Sequence, residues 1–182
     1  MHDSQQQLRA MLDALGITPN ILERRALAPY EPARELQLAE VDRHGRQHQL
    51  IPAAAAAWHD MKQAAAADAI VLEIVSAFRP LERQAEIIRA KLDKGMEMDR
   101  ILSLSAPPGY SEHHTGRAVD INTPGCEPTE EEFEHTEAFS WLCREAHRFG
   151  FTLSYPRGNA HGFIYEPWHW CYQPGGGKGE AR

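Results

Sequence analysis

Two short stretches constrain this chain more than anything else in it: Ser111-Glu112-His113-His114-Thr115-Gly116-Arg117-Ala118-Val119-Asp120 and Glu166-Pro167-Trp168-His169. Together they carry two histidines and an aspartate suited to holding a metal, plus a glutamate that need not hold it. Three nitrogen or oxygen ligands with a position left for water are the usual arrangement of a catalytic zinc site. A free carboxylate beside that water is the general base of metal-assisted hydrolysis. A lone histidine on a polar turn is most often solvated, so the pairing of the stretches carries the argument. Any fold that satisfies it must bring His113, Asp120, Glu166 and His169 to one place. Glu166 and His169 face opposite ways on a straight strand, so Pro167 has to bend the chain between them.

The combined pattern, Ser-x-His-x-x-Gly-x-Ala-x-Asp followed by Glu-x-Trp-His, resembles the zinc D-Ala-D-Ala carboxypeptidases and dipeptidases of the vancomycin-resistance (VanY-like) type. The resemblance runs from about residue 36 to residue 172. It implies one zinc ion per chain, held by His113, Asp120 and His169, with Glu166 as general base. It implies the fold shared with hedgehog signalling domains, an α+β domain with helices packed on a mainly antiparallel sheet. The implied activity is D-alanyl-D-alanine carboxypeptidase, acting on peptides derived from peptidoglycan. In Ser76-Ala77-Phe78-Arg79-Pro80 the resemblance points Arg79 at the anionic transition state and places Ser76 and Gln84 along the substrate pocket. Ser111 would hydrogen-bond the substrate's terminal carboxylate or backbone. One departure is Cys171, in Trp168-His169-Trp170-Cys171-Tyr172, where relatives often carry arginine.

Other readings share parts of this pattern. An L,D-carboxypeptidase or a dipeptidase on cell-wall peptides would use the same residues. A non-catalytic zinc-bearing binding module would need neither Glu166 nor Arg79. The facial triad of non-haem iron oxygenases also has two histidines and a carboxylate, but there the first His and the carboxylate lie one residue apart; here they are seven apart.

At 182 residues the chain suits one domain, with 1–34 as an N-terminal arm and 173–182 as a flexible tail. A net charge of −7 argues against nucleic acid or an anionic membrane as partner, for which a basic patch is expected. No apolar run approaches the ~18 residues of a membrane span. Met1 to Gln7 shows neither the basic nor the apolar region of a secretory signal. Cys126, Cys143 and Cys171 are odd in number and scattered, which reads as free thiols in a reducing compartment. A cytoplasmic monomer is therefore expected, or a periplasmic one if a leader was removed.

Hydrophobic periodicity predicts the elements. A helix spans 5–15 and ends at Gly16, and a wrapping arm broken by prolines covers 16–34. Leu36–Val41 and Gln47–Ile51 form a hairpin with solvated His44 and His48. Pro52 opens an alanine-rich helix to Ala69, and Ile70–Val75 reads as a central strand. Pro80 opens a helix to about Lys94, and a short helix covers Met98–Ser103. Strand Arg117–Asn122 places Ala118, Asp120 and Asn122 on one face. Thr129–Glu132 resembles a capping box for a helix to about Phe149, with Phe139, Leu142, Cys143 and Ala146 inward. Strands follow at Phe151–Tyr155, Gly162–Glu166 and Trp168–Tyr172.

Overall fold

The computed structural model describes residues 2–25 and 27–175. Its helices are α1 (His2–Ala14), α2 (Pro19–Arg24), α3 (Pro52–Ala67), α4 (Leu81–Asp93), α5 (Met98–Leu104) and α6 (Glu137–Glu145). Strands β1 (Gln37–Val41) and β2 (Gln47–Leu50) form an antiparallel hairpin. Four more, β3 (Glu73–Ser76), β4 (Ala118–Asn122), β5 (Phe151–Leu153) and β6 (His169–Tyr172), form an antiparallel sheet in the order β3-β4-β6-β5. This is the expected α+β arrangement.

The main core lies on one face of the four-stranded sheet. Pro52 starts α3 where its missing N–H costs nothing. Ala54, Ala55, Trp58, Met61 and Ala65 follow at helical spacing, all buried. They pack with Val119 and Ile121 of β4, Phe133, and Trp141 and Leu142 of α6. The alanines let the helix approach closely, and Trp58, fully buried, fills the space between while its indole N–H donates to Glu40 Oε2 at 3.1 Å. A second cluster joins α1, α4 and α5 through Leu12, Leu15, Ile88, Ile101 and Leu102. The cavity described below lies between α4 and the face of β4 that carries Asp120.

Several sequence expectations need correction. The arm 16–34 contains α2, opened by Pro19 at its first turn. His48 is not solvated: it is 7% exposed, with Nε2 3.3 Å from Asp42 Oδ2. The strand expected at 70–75 begins at Glu73 and lies at the sheet edge, because the end of α3 closes on itself through Ile70 N–H to Ala65 C=O (2.9 Å). The helix expected from Thr129 is replaced by a 3₁₀ turn (Glu131–His135), α6 and a second 3₁₀ turn (Ala146–Phe149). Thr136, not Thr129, caps α6 by accepting from Phe139 N–H at 3.1 Å. That start sets a phase that buries Ala138, Trp141 and Leu142 and leaves Cys143 exposed. No strand forms at 162–166, whose backbone bonds go to Ser103 C=O (from Ile164) and Tyr155 C=O (from Glu166). The expected tail falls largely outside the described residues.

The segment before β1 is laced onto the rest of the chain. Arg25 Nη2 donates to Leu102 C=O (2.6 Å) and Gly162 C=O (3.0 Å). Tyr30 N–H donates to Gly109 C=O, and Ala33 N–H to His114 C=O, both at 2.8 Å.

Candidate active site

The first motif is a single 3₁₀ turn, Glu112–Thr115, that feeds β4. Ser111 caps it by accepting from His113 N–H (3.4 Å), and Gly116 ends it at φ +65°, a left-handed conformation that suits glycine. A Cβ at Gly116 would sit 3.0 Å from Leu36 Cδ2 and 3.2 Å from Ala33 Cβ. The chain then enters β4, where pairing of Asp120 with His169 on β6 brings the two motifs together. His169 N–H donates to Glu166 C=O (3.1 Å). The Glu166–His169 segment is thus a turn, which lets both side chains face the same cavity.

Hydrogen bonds select the free nitrogen of each imidazole. His113 Nδ1 lies 2.7 Å from Ala77 C=O, so it carries the proton and Nε2 is bare. His169 Nε2 lies 2.9 Å from Glu112 Oε2 and donates to it, which leaves Nδ1 as the nitrogen that can ligate once it gives up its proton. His113 Nε2 is 3.2 Å from Asp120 Oδ2, and His169 Nδ1 is 3.1 Å from Asp120 Oδ1. Donor atoms of these three buried residues lie within 4.8 Å of one another. In a tetrahedron with bonds of about 2.0–2.1 Å, neighbouring ligand atoms are about 3.3 Å apart. The set therefore fits zinc. His114 does not join it: Nδ1 donates to Arg79 C=O (2.6 Å) and Nε2 accepts from Gly109 N–H (3.1 Å). The adjacent imidazoles instead hold the backbone on either side of Phe78, which sets Arg79 in place.

Arg79 is tied down. Nη1 donates to Gln84 Oε1 (3.0 Å), and Nη2 to Ser76 Oγ (2.7 Å), with Asp120 Oδ2 at 3.5 Å. Gln84 Nε2 is spent on Ala106 C=O (2.7 Å). In this structure, then, Ser76 and Gln84 hold the guanidinium; Gln84 lines the cavity and Ser76 does not. Ser111, His113, Asp120, Tyr155, Glu166 and His169 line the same cavity, of about 290 Å³.

The charges are biased for a cation. Burial pushes His113 down to about 4, so its imidazole is neutral and able to ligate. Burial opposes charge on His169 too, but hydrogen bonds to Asp120 and Glu112 and the charge of Glu166 raise it to about 10. Burial would raise Glu112, yet bonds from His169 and Ser154 hold it at about 2. Asp120, also buried, is held well below the usual carboxylate range by His113 and His169. Glu166 goes the other way. Burial, with the charge of Asp120 adding, lifts it to about 7 against the pull of His169, Arg79 and Lys91. One Glu166 oxygen lies 3.8 Å from His169 Nδ1, beside the ligand cluster and outside it. A carboxylate poised near neutrality next to a metal site is the arrangement a proton acceptor needs.

With this geometry, similarity becomes decisive. Residues 47–175 match the family model for VanY, D-alanyl-D-alanine carboxypeptidase. The chain belongs to this family. A D-alanyl-D-alanine carboxypeptidase of Enterococcus faecalis (strain ATCC 700802 / V583) is 35% identical over 123 residues, 62% of this chain and 44% of the relative. The chain thus spans less than half the length of that curated VanY-family relative. Among solved structures, the LdcB LD-carboxypeptidase aligns with a TM-score of 0.69 at 30% identity, covering 79% of this chain and 69% of that one. A mutant of the vancomycin-resistance D,D-pentapeptidase VanY, solved in complex with Zn(II), aligns at 0.62 and 30%, covering 79% and 82%.

Sequence reasoning missed four cavity or support residues of this VanY-family chain: Glu112, Ser154, Tyr155 and Lys91. Glu112 lies inside the first motif, directly before His113, and nothing in the spacing sets it apart. Its outward partner Ser154 (Oγ to Oε2, 2.6 Å) is 42 residues away and invisible to spacing. Tyr155 lies with its ring 4.7 Å from that of His169. Lys91 lines the cavity from α4.

Proposed function

We propose that this chain is a zinc peptidase that cleaves peptides ending in D-alanine, with Glu166 as general base. One observation carries the reading: three potential ligand atoms converge while a fourth group, the Glu166 carboxylate, stands beside them with its pKa near neutrality. His113 Nε2, an Asp120 oxygen and His169 Nδ1 would hold the zinc. When bound, the ion supplies an acidified water and polarises the scissile carbonyl. Glu166 takes the proton of the attacking water and returns it to the leaving amine. Arg79, fixed by Ser76 and Gln84, offers positive charge to the developing oxyanion. Ser111, whose hydroxyl hydrogen is not used by its cap, can donate to the substrate. Substrate class comes from the family and from what its named members cleave. The likeness to an LD-carboxypeptidase favours tetrapeptide stems as a second reading.

The test loads wild type and Glu166→Ala with zinc and offers D-Ala-D-Ala, a pentapeptide stem and a tetrapeptide stem, with products read by mass spectrometry. Wild type should release D-alanine from at least one peptide. The variant should keep its zinc and lose about 10²–10⁴ in turnover. Undiminished turnover in the variant would remove Glu166 as the base.

A further inference from the structure

We propose that the Lys91 ammonium is the receptor for a carboxylate group of the peptide substrate. This rests on the peptidase reading above and adds the residue that recognises the substrate's negative charge.

Gln84, Ile87 and Lys91 lie at positions i, i+3 and i+7 of α4, one face of the helix, and all three line the cavity. Lys91 is half-buried there, and Nζ donates to Ser105 Oγ at 2.7 Å. Among the described residues no carboxylate lies within ion-pair distance of it. An ammonium taken partly out of water with only a hydroxyl as partner is left without compensation for its lost hydration. Burial accordingly lowers its pKa, while the charge of Glu166 pulls it up and those of Arg79 and Arg100 push it down. Lys91 and Glu166 therefore sense each other across the same cavity.

Arg79, the other basic side chain lining the cavity, is held for different work. Its Nη1 donates to Gln84 and its Nη2 to Ser76, with Asp120 also beside it, so its orientation is fixed toward the His113–Asp120–His169 cluster. Its position next to the ligand Asp120 suits charge at the reacting carbonyl. Lys91 retains two of three N–H donors after bonding Ser105. As a point charge on a flexible stem it accepts a carboxylate from more than one approach. A substrate carboxylate would supply the counter-charge that the fold withholds. It can come from the free C-terminus of the peptide or from an acidic side chain nearer its N-terminus.

The experiment measures kcat and KM for zinc-loaded wild type, Lys91→Met and Lys91→Arg, with zinc content and melting temperature checked for each. Three peptides are used: one ending in free D-alanine and carrying an acidic side chain, its C-terminal amide, and its side-chain amide. Lys91→Met should raise KM about 10–100-fold on the free acid, the worth of a hydrogen bond to a charged group, with kcat little changed. Lys91→Arg should recover much of that. Wild type should lose the same factor on whichever amide removes the group that Lys91 meets, and Lys91→Met should lose nothing further there. That amide identifies the carboxylate. An unchanged KM in an active Lys91→Met protein would overturn the proposal alone, as would an equal penalty on all three peptides. A wild type inert toward every peptide would overturn the peptidase reading and this one with it.

Discussion

Glu112 offers the sharpest quantitative test of the site. Its Oε2 accepts from His169 Nε2 (2.9 Å) and from Ser154 Oγ (2.6 Å), and Oε1 lies 3.5 Å from Tyr30 Oη. The first bond engages Nε2 of His169, and so turns Nδ1 toward Asp120 as the nitrogen that can ligate. Glu112→Ala leaves the imidazole N–H and the serine hydroxyl without an acceptor in a buried setting; Glu112→Gln keeps an acceptor and removes the charge. A hydrogen bond to a charged group contributes about 1.5–3 kcal/mol, and each ~1.4 kcal/mol is tenfold. Zinc affinity should therefore fall about 10–100-fold in Glu112→Ala, the range usual for outer partners of a metal-bound histidine. It should fall about 3–10-fold in Glu112→Gln, since about half that energy comes from the charge. Competition with a chromophoric chelator at fixed pH gives the constants, and melting of the metal-free proteins separates lost affinity from lost fold. Wild-type zinc affinity in a folded Glu112→Ala protein would refute the argument that this carboxylate sets the His169 nitrogen.

Three further outcomes are expected. His113→Ala, Asp120→Ala and His169→Ala should each lose bound zinc, whereas His114→Ala should keep it yet melt lower by several degrees, since it orphans the buried Gly109 N–H; metal analysis and thermal denaturation check both. Gly116→Ala should destabilise by about 1–3 kcal/mol, from a non-glycine left-handed residue and the contacts with Leu36 and Ala33, measured by denaturant titration. Asp42 is opposed by burial but held well below the usual carboxylate range by bonds from Arg46, His44 and His48. A lowered folded pKa gives stability that is present above the unfolded value of about 3.9 and is lost as pH falls further. Asp42→Asn should therefore melt below wild type at pH 7, with the gap closing below about pH 4.

What the sequence revealed follows from the range of the interactions involved. The alternation in β4 and the proline-started α3 are local signals, and both elements stand where the pattern placed them, within a residue or two at the ends. The Pro80 helix is equally local. Failures came where a tertiary contact overrides the local one. Glu130–Glu132 beside Thr129 imitates a cap, but Thr129 sits at φ +60° and the true cap is Thr136. Gly162–Glu166 has a strand's composition, yet its backbone is claimed by Ser103 and Tyr155. In the site, the convergence of His113, Asp120 and His169 was legible because their spacing is compressed into two motifs. The roles of Ser76 and Gln84 around Arg79 depend on where α4 lies against β3, and that of Ser154 on β5, which no spacing reports.

The lacing of residues 25–33 has a consequence for where this protein begins as a physical object. The match to the family model starts at residue 47, and a protein cut there would keep every motif residue. It would also lose the guanidinium that ties Leu102 to Gly162, four residues before Glu166, and the N–H groups of Tyr30 and Ala33 that close the outer side of the metal turn. Leu36 and Ala33, the walls against Gly116, would go with them. Such a fragment would carry the whole chemical signature with the outer face of the 112–116 turn uncovered. The start of the family-model match and the start of mechanical support differ in this chain by about twenty residues, and only the second tells an experimenter where to cut.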